Sequence, residues 1–340
     1  MQYRLLGKTG VRVSPLCLGS MMFGQWGNQS HDDSVGIIHR ALDAGINFID
    51  TADVYSQGES EEIVGQALAG ARRDSVILAT KINAPMGDGP NQRGNSRRWI
   101  MQEVESSLRR LKTDWIDLYQ IHRPAPDTDI DETLGALSDL VHQGKVRYIG
   151  SSTFPAAQIV EAQWVARERG LARFVCEQPP YSLLVRGVEA DVLPTCQRHG
   201  MGVISWSPLA GGWLSGAYRK GAPPPESSRV KRMPERYDLS KPANQRKLDV
   251  VDRLGALANE AGIPLIHLAI AFIIRHPAVT AAIIGPRTLA QLESQIGATD
   301  VVLTDDLLNR IDEIVAPGTT ISASDVGWQN PALAPAARRR

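Results

Sequence analysis

The run Ile116-Asp117-Leu118-Tyr119-Gln120-Ile121-His122 is followed by helical spacing over Asp131–Gln143, a glycine at Gly144, and a second apolar run, Val146–Ser152. The outer two stretches are short and mostly apolar, as strands are when both faces are covered. The middle one is long enough for a helix. It starts at Asp131 and stops where Gly144 can take a left-handed backbone. Strand, helix and strand in that order predict parallel strands joined by a crossover.

The same unit recurs along the chain. Strand runs at Pro15–Gly19, Asn47–Thr51, Val76–Ile82, Ile116–His122, Val146–Ser152, Phe174–Gln178, Gly202–Trp206 and Ala281–Gly285 make eight. Helical spacing falls at Ser34–Ala44, Ser60–Ala69, Ser96–Leu111, Asp131–Gln143, Ala156–Arg169, Val188–His199, Gln245–Ala261 and Ile266–His276. Pro155 and Thr288 are further helix starts; Gly45, Gly170, Gly200 and Gly262 are further stops. Eight repeats predict an α/β fold closed into a (β/α)8 TIM barrel rather than an open sheet. Ahead of it, Tyr3–Leu6 and Val11–Val13 flank Gly7-Lys8-Thr9-Gly10 and read as a β-hairpin plugging the barrel's N-terminal end. No linker divides the chain. One domain is expected over residues 1–340, with the hairpin at 3–13, the barrel at about 15–300, and a C-terminal helix and tail at 304–340. After the seventh strand, Ser215 to Asn244 carries no clear period and holds Pro223-Pro224-Pro225 with several basic residues. A loop this long is either functional or a passive surface insertion.

Composition narrows the function. Of 340 residues, 43% are hydrophobic and 22% charged, and 37 basic residues balance 37 acidic ones. Zero formal net charge argues against a nucleic-acid partner, and the apolar content against disorder. Cys17, Cys176 and Cys196 lie far apart, so neither a disulfide framework nor a thiolate metal site is expected, and a reducing cytoplasm fits. Met1 to Pro15 holds no apolar stretch of a secretory signal. The longest apolar segment, Ile263–Ile274, is too short to span a bilayer and reads as a buried helix. No membrane partner is expected.

In such a barrel the chemistry sits at the C-terminal ends of the strands. The second strand ends in Asp50-Thr51-Ala52-Asp53-Val54-Tyr55, the third in Thr80-Lys81, the fourth in Gln120-Ile121-His122. Asp50, Tyr55, Lys81 and His122 should therefore converge. A free phenol, with a pKa of about 10, is a weak acid at neutral pH. A nearby ammonium favours the phenolate, a carboxylate holds that ammonium in place, and a histidine can hydrogen-bond a substrate oxygen. The set would polarise a carbonyl and protonate it, but it brings no hydride and no metal site, so a cofactor must supply the hydride. Taken singly, each residue could instead be structural: Asp50 an ion-pair partner, Tyr55 a rim aromatic, Lys81 the partner of Asp50, His122 a satisfied polar residue; Lys81 could also be a Schiff-base lysine. The mouth should be lined by Met22, Phe23, Trp26, Met86 and the residues after Ser207, which suits a bulky apolar or sugar-like carbonyl.

These motifs resemble those of the aldo-keto reductases over about Tyr3 to Gly318. Asp50-Thr51-Ala52-Asp53-Val54-Tyr55, Leu78-Ala79-Thr80-Lys81 and Asp114 to His122 look like that family's aspartate–tyrosine, lysine and histidine elements. The resemblance implies a tetrad of Asp50, Tyr55, Lys81 and His122, with Tyr55 the general acid. It also implies NADPH in preference to NADH, bound without a Rossmann fold; no G-x-G-x-x-G is present. By the same resemblance, Ser152 and Gln178 would hold the carboxamide and Trp206 would stack on the nicotinamide. The turn Ser207, Pro208, Leu209, Ala210, Gly211 and Gly212 would cradle the pyrophosphate. Gly285, Arg287 and Gln291 would meet the 2′-phosphate, Arg287 by its planar fork and Thr288 by opening a helix. Gly19, Ser20, Met21, Asp50, Ser215, Arg229 and Gln295 complete the implied cofactor set. Thr153, Ala217 and Ser294 stand where the pattern commonly has Asn, Lys and Glu. Trp206 and the long loop resemble the branch holding potassium-channel β subunits and bacterial oxidoreductases.

Three readings follow. The first is an NADPH-dependent reductase of a small-molecule aldehyde or ketone, keto-sugars and other bulky carbonyls included. The second is an NADPH-holding, redox-sensing module that docks a partner and turns over slowly. The third is a lyase forming a Schiff base on Lys81, which leaves Trp206 and Arg287 without a use. A homo-oligomer through the outer helices is compatible with each.

Overall fold

Two short antiparallel strands, β1 (Arg4–Leu5) and β2 (Arg12–Val13), form the expected hairpin. Eight parallel strands follow: β3 (Leu16–Gly19), β4 (Phe48–Asp50), β5 (Ile77–Ile82), β6 (Ile116–Ile121), β7 (Val146–Ser152), β8 (Phe174–Gln178), β9 (Gly202–Ser205) and β10 (Ala281–Ile284). Each pairs with its neighbour in sequence, and β10 closes on β3 through Ala282–Leu16, Ile283–Cys17 and Ile284–Leu18. The barrel expected from the strand-helix alternation is therefore closed. This computed structural model describes residues 1–222, 225 and 228–339; Pro223 and Pro224 of the proline run and the terminal Arg340 lie outside the described residues.

The crossovers carry helices α1 (His31–Asp43), α2 (Glu59–Ala67), α3 (Arg97–Leu111), α4 (Ile130–His142), α5 (Ala156–Arg169) and α6 (Val192–His199). A short α7 (Ser228–Arg232), then α8 (Pro242–Glu260), α9 (Leu265–Arg275), α10 (Leu289–Ile296), α11 (Asp305–Ile314) and α12 (Pro335–Arg338) complete the described helices. Ser30 caps α1 by accepting from the Asp33 amide at 3.2 Å, and Thr288 caps α10 by accepting from Gln291 at 3.2 Å. Gly170 and Gly200 end their helices in the left-handed conformation.

Several boundaries depart from the sequence reading, α1 among them, which begins at His31 rather than Ser34. Helix α4 is capped at Asp129, and Asp131 lies inside its first turn, where a carboxylate favours the helix dipole. The stretch read as one helix from Val188 is a 3-10 turn, Gly187–Glu189, then a break at Asp191, whose carboxylate accepts from the Val192 amide at 2.6 Å. The long insertion is not structureless. It holds α7, a turn at Pro234–Arg236, and the first residues of α8, which begins with Pro242 rather than at Gln245.

Period two within the strands sorts the barrel interior. Cys17, Phe48, Ala79, Leu118, Cys176, Ile204 and Ala281 fill the inside, floored by Leu6 and Val13 of the hairpin. Two residues further on, at the mouth, the same strands offer Asp50, Lys81, Gln120, Gln178 and, just past β9, Trp206. The larger core lies outside the barrel, against the helices. Most of α9 is buried there, as read from Ile263–Ile274. Among the described residues no single helix is long and apolar enough to cross a membrane. The three cysteines are free and buried.

The hairpin also meets the barrel through its backbone. The Lys8 amide donates to Gly200 O at 3.0 Å. Gly7 has φ +56°, and a Cβ there would sit 2.6 Å from the Gly202 nitrogen. Gly7→Ala should therefore destabilise the protein by about 2 kcal/mol or more in denaturant titration. Gly36, exposed within α1 with nothing within 4 Å of an added Cβ, is the counter-case: Gly36→Ala should stabilise by up to about 1 kcal/mol.

Candidate active site

Lys81 is wholly buried at the end of β5, and its ammonium has three donors to place. Its Nζ donates to Asp50 Oδ2 at 2.5 Å, to Thr51 O at 2.7 Å and to the Tyr55 hydroxyl at 3.2 Å. Burial alone would depress this pKa, but Asp50 and Tyr55 outweigh it and the net shift is upward. The lysine is therefore a cation. An ammonium only donates, so the phenol oxygen accepts and its own hydrogen is left to aim into the cleft. Asp50 is held in turn by two amides from across the barrel, Gln178 Nε2 at 2.8 Å and Gln120 Nε2 at 3.2 Å.

His122 follows β6, its amide donating to Ile82 O at 2.8 Å. Its ring meets the Tyr55 ring edge-on, centroids 5.8 Å apart. Burial, then Arg123 and Lys81, holds its pKa well below the ordinary histidine value, so the imidazole is neutral. Among the described residues its ring nitrogens bond no other side chain. Arg123 lies over the Trp206 ring at 5.9 Å, and Trp206 Nε1 donates to Thr153 Oγ1 at 3.4 Å. Thr153 takes φ +62°, a strained left-handed backbone for a β-branched residue. Beneath it, the Glu177 carboxylate accepts from Ser151 Oγ and from the Phe154 amide. Burial outweighs these donors and raises the Glu177 pKa to about 7.

A cleft of about 830 Å³ runs from these side chains to the start of α10. Its walls are the first turn after β9, the segment around Arg229, Met233 and Arg236, and a C-terminal strap at 323–329. In the turn, Ser207, Ala210, Gly211 and Gly212 all have positive φ, which points successive amides outward as an anion nest does. The amides of Ser207 and Leu209 meet no acceptor among the described residues. Tyr237 braces the turn by donating to Gly211 O at 2.9 Å, and the Trp213–Tyr218 stack, centroids 4.3 Å apart, lies alongside. Arg287, before α10, and Arg229, beside Gly285, face the cleft with no carboxylate within 4.0 Å among the described residues. Unpaired guanidiniums, a nest and a helix N-terminus fit an elongated, phosphate-bearing nucleotide.

Of the residues expected at the cofactor, Gly19, Met21, Asp50, Gln178, Trp206, Ser207, Pro208, Leu209, Gly212, Ser215, Arg229, Gly285, Arg287, Gln291 and Gln295 line this cleft, with Met22 and Trp26 at its mouth. Four do not line it. Ser20 is buried, its hydroxyl shared between Asp50 O and Ser60. Ser152 is buried and donates to Gln178 O at 2.9 Å. Phe23 is fully enclosed in the outer core, and Met86 packs against that core, so neither is a pocket wall. Both follow strand-end segments in sequence, but the chain turns each side chain inward. Two contributors went unread. Arg123 carried no signal beyond its place after His122. The strap lies in a tail without periodicity, yet it passes so close that a Cβ on Gly327 would sit 2.6 Å from the Trp206 ring.

Fold and site together define a barrel oxidoreductase built to use a nicotinamide nucleotide. Residues 15–316 match the model of the aldo/keto reductase family. An uncharacterized oxidoreductase of Bacillus subtilis, YrpG, is 41% identical over 324 residues, covering 92% of this chain and 96% of that protein. A probable voltage-gated potassium channel subunit beta of Arabidopsis thaliana is 38% identical, covering 93% and 97%, and a putative one of Schizosaccharomyces pombe is 33% identical, covering 92% and 93%. The chain belongs to the aldo/keto reductase family and is an NAD(P)H-dependent oxidoreductase.

Glu177 gives a signed pH test. From its ordinary 4.5 up to about 7 the folded protein holds a proton that the unfolded chain releases. Its stabilising contribution is thus present at low pH and lost as pH rises through about 7. Between about pH 5 and pH 8, wild type should lose roughly 2–3 kcal/mol relative to Glu177→Gln in urea titrations.

Proposed function

We propose that the protein reduces an aldehyde or ketone to an alcohol with NADPH, Tyr55 giving the proton. The observation that carries this reading is the Tyr55 hydroxyl, bonded by Lys81 Nζ at 3.2 Å on one side and facing the cleft on the other. When bound, the nicotinamide would supply the hydride that no side chain here can. The neutral His122 donates a ring N–H to the carbonyl oxygen, which orients and polarises it. As negative charge grows on that oxygen, Tyr55 transfers its proton, and the adjacent ammonium stabilises the phenolate left behind. Asp50 takes no proton. It keeps Lys81 charged and aimed, and Gln120 and Gln178 keep Asp50 aimed.

Preference for NADPH rests on Arg287, whose unpaired guanidinium stands at the Thr288-capped start of α10. The nest at Ser207–Gly212 and Arg229 serve the pyrophosphate side of the cleft. Trp26, Trp206 and Trp328 line the mouth, and their faces suit a bulky or sugar-like carbonyl.

Tyr55→Phe should lower kcat by about a thousandfold with its NADPH affinity retained, read by tryptophan quenching. Full carbonyl turnover by that variant would end the assignment. Arg287→Ala should weaken NADPH binding about ten- to a hundredfold and leave NADH binding little changed. Equal losses for both nucleotides would remove Arg287 from the 2′-phosphate.

A further inference from the structure

Arg123 is a cation lining the cleft that neither the tetrad nor the cofactor accounts for. Its Nε donates to Gly327 O at 3.3 Å, and Nη1 donates to His122 O and to Ser152 Oγ. A guanidinium carries five N–H donors, so the two on Nη2 are left, and among the described residues they meet no acceptor. The head is fixed on two sides by backbone and is not free to swing out to water. Among the described residues no carboxylate lies within 4.0 Å of it. The Trp206 face, 5.9 Å away, answers part of the charge, but a ring quadrupole is weaker than a counterion. Glu177, an acid in its surroundings, is itself raised to about 7 by burial.

The cleft is asymmetric in this respect. Arg287 stands at the start of α10, the end that suits a nucleotide's phosphates, and Arg229 lies beside Gly285, within electrostatic reach of both Arg287 and Tyr55. Arg123 stands at the other end, adjoining His122 in sequence and lining the same wall as Tyr55 and Trp206. A nicotinamide ring against Trp206 brings no negative charge there. The charge left over belongs to whatever carries the carbonyl.

Resting on the reductase reading above, we infer that Arg123 selects carbonyl substrates that bear a carboxylate near the reacting group. Nη2 donates to that carboxylate while His122 holds the carbonyl oxygen, so the substrate is gripped at two points. The aromatic rings of Trp26 and Trp328 bound the space between. The Gly327 carbonyl keeps the guanidinium pointed, so the strap contributes to the preference through Arg123.

The test compares para-carboxybenzaldehyde with its methyl ester, each reduced with NADPH by wild type and by Arg123→Gln. Wild type should favour the carboxylate in kcat/KM by about tenfold or more, and the variant should bring the ratio close to one. The ratio cancels any general disturbance that losing the His122 O and Ser152 contacts causes. A wild-type ratio near one, or a ratio unchanged by the substitution, overturns the inference while leaving the reductase assignment intact. Calorimetric binding of benzoate to the NADPH-loaded protein adds a readout independent of turnover. Benzoate should bind wild type at least tenfold more tightly than Arg123→Gln, and benzamide should show no such difference. Equal benzoate affinities overturn the inference even if no aldehyde is reduced, whereas absent turnover with intact benzoate selectivity removes the reductase reading and keeps the anion site.

Discussion

A fully buried ammonium at the mouth of a barrel imposes the arrangement around it. Removing a charge from water costs several kcal/mol unless it is paired and hydrogen-bonded. Lys81 meets that cost with a carboxylate, a backbone carbonyl and a phenol, one for each of its donors. The carboxylate must then be held as well, which accounts for the buried amides of Gln120 and Gln178. The reactive geometry of Tyr55 is thus a by-product of satisfying one cation. The same charge helps to keep His122 neutral and so able to donate rather than repel.

The barrel supplies the positions, and the loops after β9 supply the rest of the cleft. Tyr237 braces the Ser207–Gly212 turn at the Gly211 carbonyl, and its ring stacks with Trp213 beside it. A second buried charge set ties the walls together. Asp325, on the strap, pairs with Arg236 at 2.8 Å and with Lys247 of α8 at 2.6 Å, Lys247 being fully buried. The insertion, the helix after it and the C-terminal strap are therefore joined at one carboxylate.

Much of this is legible in the sequence, for physical reasons that differ by element. The eight strands are visible because both of their faces are covered, which forces near-continuous apolar runs. Asp50, Lys81 and His122 are visible because such polar types at the ends of those runs conflict with burial unless they serve one another. Asp131 misleads because a carboxylate is favoured both as a cap and in the first turn. Phe23 and Met86 mislead because a place after a strand end does not fix which way a loop side chain faces, and both found apolar surface in the outer core.

The sequence by itself determined the class of fold, the family pattern and the placing of Asp50, Tyr55, Lys81 and His122 at one end of the barrel, since alternation and strand-end chemistry are local properties repeated along the chain. Only the tertiary structure decided that Gln178 reaches Asp50 across 128 positions of chain, that the tail closes over Trp206, and that Arg123 faces the cleft with an unmet charge. Those facts depend on which groups are left unpaired after every other contact is made. That is a property of the whole closed barrel, and no window of sequence contains it.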